Sequence, residues 1–204
     1  VLVIHNVLSP AEVAEARRGL HAALLERGVD VDNLDGTAAN VESMSSTGGS
    51  GGVLDMFYEE WKLKLLEHPR VLDIIMTLWT HTYARGAAPF EHPYGKFDSR
   101  KAFAYVDRVC FRLPERVNIK PGPLTVTGQD KYDQQGKSKT RRKKDCLQRS
   151  LTPHLDCCPH RLFESESAQP KWRPIQSFVA LTDTIMPNQG GFEAAPALHR
   201  KDRK

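Results

Sequence analysis

The sequence predicts an α+β domain in which helices come first and short strands follow. Helical periodicity is confined to the N-terminal part of the chain, whereas short β-prone segments bounded by turn residues appear after residue 100. A chain of 204 residues has the size of one domain, and its 40% hydrophobic content can supply a core. We therefore expect one domain over residues 1–204, mainly helical at 1–90 and β at 100–204.

The N-terminal residues predict a short strand followed by a capped helix. Residues 1–4, VLVI, suit a buried strand, and Ser9 with Glu12 forms a capping-box pattern around Pro10. Apolar residues then recur at helical spacing, and Gly28 is a typical C-terminal stop. The start lacks the basic flank, apolar stretch and cleavage site of a signal peptide, so a cytoplasmic or organelle-matrix location is expected.

Beyond this helix, composition and periodicity predict a loop, two helices and several strands. Residues 36–52 hold five glycines and four serines, a composition typical of a flexible loop. Helices are predicted around 54–66 and 71–83, and strands at 102–106, 109–113 and 176–181. The longest near-apolar stretch, 71–79, is too short to cross a bilayer, so no membrane span is expected.

Positive charge is concentrated in one basic segment, residues 131–150. It holds eight Lys or Arg against two Asp, a local net charge of +6, and because the whole chain carries +4 the remainder carries −2. We therefore do not expect nucleic acid to be a partner of this domain. The basic segment itself is interpreted either as a solvated loop or as a patch that attracts phosphate groups.

The densest group of potential metal ligands is the segment 152–160, TPHLDCCPH. Side chains two residues apart share one face of a strand, so His154 and Asp156 would converge while Leu155 faces the other way. An imidazole and a carboxylate are two of the three ligands in the 2-His-1-carboxylate triad that holds non-heme Fe(II). The pair therefore makes His154 and Asp156 candidate metal ligands, with His199 as a further histidine for the third position.

A zinc site is the rival interpretation of the same segment. Cys157, Cys158 and His160 are zinc-ligand types, but adjacent cysteines rarely hold one ion together, and the sequence has no Cys-x-x-Cys pair. Packed or partly exposed thiols are therefore the preferred interpretation of Cys157 and Cys158. Cys110 and Cys146 are not expected to carry chemistry.

The residues that follow His154 continue a family pattern. The segment 176–183, QSFVALTD, precedes NQGGFEAAPALH at 188–199. Together these motifs resemble the phytanoyl-CoA dioxygenase-like family of Fe(II)- and 2-oxoglutarate-dependent oxygenases. In that family a His-x-Asp precedes an aromatic-x-Ala-Leu-x-Asp strand and a Gly-Gly-x-x-x-x-Pro-Gly-Ser-His turn. The opening VIHNVLSP at 3–10 is also similar to the family's start, whereas the likeness between residues 30 and 100 is weak.

The resemblance implies a double-stranded β-helix, a jelly-roll of two facing sheets with buttressing N-terminal helices. It implies that His154 and Asp156 are catalytic iron ligands, with 2-oxoglutarate as co-substrate and O2 as oxidant. Phe178 stands where many relatives have a tryptophan near 2-oxoglutarate, and Gln176 lies on the same strand face. Arg112, just before a proline, would contact an acidic co-substrate or substrate.

The implied activity is hydroxylation of a small-molecule substrate, with acyl-CoA and other phosphorylated compounds among the candidates. The alternative is a catalytically inactive binding protein of the same fold. In the family, the distal histidine ligand and the arginine that binds 2-oxoglutarate follow the last turn, so we expect them beyond Lys204. Ala197 and Leu198 replace the family's Gly-Ser, which predicts a different turn geometry.

Overall fold

A computed structural model describes residues 2–82, 105–118, 125–126, 131–132, 138–139, 142–143, 146–151, 154, 175–183 and 191–192. Their α-helices are α1 (Pro10–Glu26), α2 (Leu34–Thr37), α3 (Glu60–Leu66) and α4 (Pro69–Thr82). Segments of 3₁₀ helix cover Val31–Asn33, Ala38–Met44 and Ser50–Gly52. The strands are β1 (Val53–Leu54), β2 (Val109–Cys110), β3 (Thr125–Val126), β4 (Lys131–Tyr132), β5 (Ser138–Lys139) and β6 (Arg142–Lys143). They pair antiparallel as β1 with β2, β3 with β6 and β4 with β5.

Helix α1 begins and ends as its sequence predicts. The Glu12 amide donates to Ser9 Oγ at 3.3 Å, and the Ser9 amide donates to Glu12 Oε2 at 2.6 Å, which completes the capping box. At the other end Gly28 has a φ of +80°, and the Val29 amide donates to the Leu24 carbonyl at 2.9 Å. This left-handed turn ends the helix and directs Val29 back into the core.

The core lies where α1, the 3₁₀ segments and the β1–β2 pair meet. Leu24, Val29, Val41 and Leu54 are fully buried there, and each contributes about 1.5 to 3 kcal/mol by leaving water. Leu147 joins the same cluster from far along the chain. The packing therefore ties the residues just before His154 to the helical part of the molecule.

Three predictions for the N-terminal part are wrong. Residues 2–6 form no strand, and Val3 is 69% exposed, because nothing in the described structure pairs with this backbone. The helix expected from residue 54 begins at Glu60, since Val53–Leu54 pairs with β2 instead. The segment 36–52 is not a flexible loop, because it is largely 3₁₀ helix with Val41 and Met44 in the core.

The helix predicted at 71–83 is confirmed as α4, although it begins two residues earlier. Of the strands predicted after residue 100, β2 covers the first two residues of 109–113. Residues 175–183 are described and run without a strand, so the strand predicted at 176–181 is wrong. Residues 102–104 lie outside the described residues, and the double-stranded β-helix stays a prediction.

Among the helices that the structure describes, none combines the length and the apolar character that a bilayer crossing requires.

Candidate metal and co-substrate site

The five residues predicted for the site occupy different environments. His154 is described and exposed, whereas Asp156 lies outside the described residues. Gln176 and Phe178 are exposed on the irregular segment 175–183, and Arg112 is half-buried close to β2. The structure thus describes four of the five predicted residues. Because Asp156 is not among them, the convergence of His154 with Asp156 stays a prediction.

Arg112 belongs to a junction formed by three chain segments, residues 45–52, 109–113 and 146–151. The Arg149 carbonyl stands at its centre, because it accepts from the Gly51 amide at 2.6 Å and from Arg112 Nη1 at 2.9 Å. The Phe111 amide donates in turn to the Gly52 carbonyl at 2.8 Å. The junction therefore fixes the chain a few residues before His154.

In this junction the side chain of a buried glutamine forms hydrogen bonds with the backbone, as a neighbouring strand would. Gln148 is 2% exposed, its Nε2 donates to the Phe111 carbonyl at 2.8 Å, and its Oε1 accepts from the Leu113 amide at 2.8 Å. A buried polar group costs free energy unless it is hydrogen-bonded, and here the side-chain amide and the backbone satisfy each other. Phe111 and Leu113 are thereby hydrogen-bonded to a side chain.

Asn118 closes the junction from the other side of the same residue. Its Nδ2 donates to the Gln148 carbonyl at 2.9 Å, and its Oδ1 accepts from the Gln148 amide at 2.7 Å. Both main-chain groups of Gln148 are therefore satisfied by one side chain 30 positions earlier in the sequence. We call this reciprocal pair the clasp.

The guanidinium of Arg112 has N–H donors that no hydrogen bond among the described residues uses. Its Nη1 is engaged by Arg149, but its Nε is buried without a hydrogen-bond partner among the described residues. A planar fork of donors suits a carboxylate, which can accept two parallel hydrogen bonds. Burial raises the pKa of the neighbouring Cys110 thiol, and the positive charge of Arg112 opposes that rise. The surroundings thus favour a neutral thiol beside a fixed cation.

Two aromatic rings meet in the C-terminal part of the family pattern. The rings of Phe178 and Phe192 lie 5.4 Å apart between centroids at an interplanar angle of 47°. Both rings remain exposed, Phe192 at 61%. The contact joins segment 175–183 to the double-glycine region that follows it in the sequence.

The donor types present are compatible with Fe(II). Within the described parts of the chain, no three His, Cys, Asp or Glu side chains group around one point. His154 supplies one imidazole, and the carboxylate of Asp156 would supply an anionic ligand; both are ligands that non-heme iron takes. The chemistry of the predicted pair therefore fits iron.

A separate open cleft of about 400 Å³ lies beside the core, where Met44 and Met56 line it together with two charged residues and Ser43. The charged residues already have partners, since Arg27 pairs with Glu59 and Asp55 accepts from Ser46. The charged groups of the cleft are therefore less available to a ligand than the guanidinium of Arg112.

Sequence reasoning missed the clasp and the buried glutamine. Gln148 lies near the end of the basic segment in a stretch without periodicity, so nothing local marks it as buried. The glycine pairs at 48–49 and 51–52 were the available signal, because adjacent glycines often mark close backbone approach. In the structure a Cβ on Gly49 would overlap the Leu147 carbonyl oxygen.

No protein-family model matches this chain, and no curated protein or solved structure matches it either. The functional assignment therefore rests on the sequence pattern and on the geometry described above.

Proposed function

We propose that the protein is an Fe(II)- and 2-oxoglutarate-dependent dioxygenase that hydroxylates a small molecule. The observation that carries this proposal is the order of three motifs, His154-x-Asp156, the FVALTD segment and the double-glycine turn. The Phe178–Phe192 contact supports it, because it places the second motif beside the third. Acyl-CoA and other phosphorylated compounds are the first substrates to test.

His154 and Asp156 would hold the metal in this proposal. His154 binds through a ring nitrogen lone pair, so the imidazole must be neutral, and the Asp156 carboxylate offsets part of the dication's charge. Bound Fe(II) with 2-oxoglutarate supplies the O2-dependent oxidation of a C–H bond, with succinate and carbon dioxide as co-products. The protein's own task is to orient the substrate and keep water away.

Arg112 would hold a carboxylate of the co-substrate or of an acidic substrate. Its Nη1 bond to Arg149 fixes the orientation of the guanidinium, and a planar guanidinium carries further N–H donors that suit a carboxylate. Phe178 and Phe192 would form an apolar wall next to the ligand, and Gln176, two residues before Phe178, would add a polar contact. Hydrogen-bond donors that are held in a fixed position stabilise a bound anion most strongly in a site from which water is excluded.

Succinate release tests this proposal directly. The intact protein is incubated with Fe(II), ascorbate, 2-oxoglutarate and candidate substrates, including an acyl-CoA. We expect iron-dependent succinate that disappears in His154→Ala and in Asp156→Ala. Absence of both turnover and 2-oxoglutarate binding would refute the proposal.

A matched arginine pair tests the role of Arg112. Arg112→Gln should raise the KM for 2-oxoglutarate or for an acidic substrate on the order of 10- to 100-fold, because a charge-assisted hydrogen bond is lost. Arg116→Gln removes the same charge from an exposed residue paired with Asp35, and it should leave KM unchanged. Equal effects of the two variants would exclude a specific contact by Arg112.

The alternative function is that of an inactive binding protein. Binding of 2-oxoglutarate or of substrate without succinate release would favour it.

A further inference from the structure

One side chain holds the backbone on both sides of Arg112. The Phe111 carbonyl, just before Arg112, accepts from Gln148 Nε2, and the Leu113 amide, just after it, donates to Gln148 Oε1, both at 2.8 Å. A residue's backbone has only two soft torsions, and these set the relative orientation of the two peptide groups beside it. The two bonds therefore fix the direction in which the Arg112 side chain leaves the backbone.

The rest of the Arg112 side chain is held by the other two segments of the junction. A Cβ on Gly52 would lie 2.6 Å from Arg112 Cδ, so the stem passes over a position where only glycine leaves room. At the tip, Nη1 donates to the Arg149 carbonyl at 2.9 Å. An arginine side chain has large rotamer freedom, and in this arrangement much of it is lost before a ligand binds.

Two successive residues, Gln148 and Arg149, thus act on the same arginine. Gln148 is 2% exposed, and an apolar side chain of similar size would fill its space without a buried polar group. Its amide instead bonds the two neighbours of Arg112. His154 follows five residues after Arg149 in the sequence. The position of Arg112 is therefore tied to the segment that leads to His154.

We infer that Gln148 is a positioning residue, which holds Arg112 in place to bind a carboxylate of 2-oxoglutarate. The inference rests on the proposed function, in which Arg112 holds such a carboxylate. A donor that is already fixed loses little freedom on binding, so affinity for the anion depends on what fixes the donor. Gln148 acts through Arg112 and does not itself bind the ligand.

A double-mutant cycle on 2-oxoglutarate binding tests this role. Gln148→Met keeps most of the side-chain volume and removes both hydrogen bonds. In anaerobic titrations of the intact protein with Fe(II), it should weaken 2-oxoglutarate binding on the order of 10-fold, because small displacements of a positioned group have large effects. Added to Arg112→Gln, the same change should alter affinity by less than about two-fold, because the group that Gln148 positions is then absent.

Two further variants separate positioning from loss of stability. Leu24→Ala removes a fully buried side chain of α1, outside the junction, and should leave 2-oxoglutarate affinity within about two-fold while the protein is folded. Asn118→Ala releases both main-chain groups of Gln148 and takes the place of Gln148→Met if that variant does not fold. It should weaken binding about three-fold, again only when Arg112 is present.

The motion of the Arg112 side chain tests the positioning without a ligand. Nitrogen-15 relaxation gives the order parameter of the Arg112 Nε–H bond, whose signal is assigned from its loss in Arg112→Gln. We expect about 0.85 in the parent protein, the value of a rigid group, and less than about 0.6 in Gln148→Met. Leu24→Ala should keep the parent value.

Two results would overturn the inference. One is that Gln148→Met leaves binding unchanged, or weakens it equally with and without Arg112. The other is an unchanged order parameter for Arg112 in Gln148→Met. A parent protein that neither binds 2-oxoglutarate nor releases succinate would refute the proposed function instead, and the order parameter would still decide whether Gln148 positions Arg112.

Discussion

The junction and the segments that carry the oxygenase pattern use their side chains in opposite ways. In the junction, buried Gln148 and Asn118 give their polar groups to backbone partners. His154, Gln176 and Phe178 are exposed instead. Stability is therefore concentrated in the junction, and of the groups proposed for chemistry only Arg112 belongs to it. Substitutions in the first region should change the free energy of unfolding, and those in the second should change ligand binding.

The largest effect on stability is expected in the core that supports the junction. Leu24→Ala removes a side chain with no exposed surface and should cost about 2 to 5 kcal/mol of unfolding free energy. Leu25→Ala is the matched control, because Leu25 is 60% exposed on the same helix, and should change stability by less than about 0.5 kcal/mol. Urea denaturation measures both. A similar loss of unfolding free energy in the two variants would mean that Leu24 is not part of the core.

A glycine pair sharpens the view that residues 45–52 are packed. Gly49 has a φ of +75°, and a Cβ there would overlap the Leu147 carbonyl. Gly49→Ala should therefore cost about 2 to 4 kcal/mol, the sum of left-handed strain and overpacking. Gly48 has a φ of +60° but open space around it, so Gly48→Ala should cost only about 1 to 2 kcal/mol. Equal decreases in the melting temperature of the two variants would mean that residues 45–52 move away from Leu147 to accommodate the added methyl group.

A glutamine pair tests the contrast between the two regions directly. Gln148→Ala leaves the Leu113 amide and the Phe111 carbonyl without their partner and should cost about 1 to 3 kcal/mol. Gln176→Ala changes an exposed side chain and should be neutral for stability, within about 0.5 kcal/mol. The reverse order in chemical denaturation would contradict the assignment of Gln148 to the junction.

The smallest effect concerns acid stability at the start of α1. A hydrogen bond from His68, with further bonds from Ser9, lowers the pKa of Glu12 to about 2. Because the folded pKa lies below the ordinary value of 4.5, this contribution is present above about pH 4.5 and is lost as the pH falls towards 2. Glu12→Gln should flatten the stability profile between these values. Glu26→Gln, at the far end of the same helix, should keep its slope.

Local signals predicted the elements that depend on neighbouring residues. Ser9 with Glu12 and Gly28 set the ends of α1, because capping acts within one turn of the helix. The helix at 71–83 followed in the same way from its apolar periodicity. Helix ends and apolar periodicity can therefore be predicted without knowing which distant residues are in contact.

Features that depend on distant partners escaped prediction. Val53–Leu54 is a strand because β2 lies beside it, and Met56 precedes α3 although its spacing suggested a helix. The clasp joins Asn118 to Gln148, 30 positions apart in the sequence, and neither residue carries a local mark of that contact. Of the candidate site, Arg112 was predicted from sequence, whereas the Arg149 carbonyl that orients it was not.

The most direct test of the central claim is an anaerobic titration of the intact protein with Fe(II) and 2-oxoglutarate, followed by the weak visible charge-transfer band of the complex. We expect the band to form in the parent protein and in folded Leu155→Ala, since Leu155 would face away from the metal. Loss of the band is expected in His154→Ala and in Asp156→Ala, with each variant's fold retained. A band that persists in Asp156→Ala but disappears in Leu155→Ala would contradict the assignment of His154 and Asp156 as the metal-binding pair.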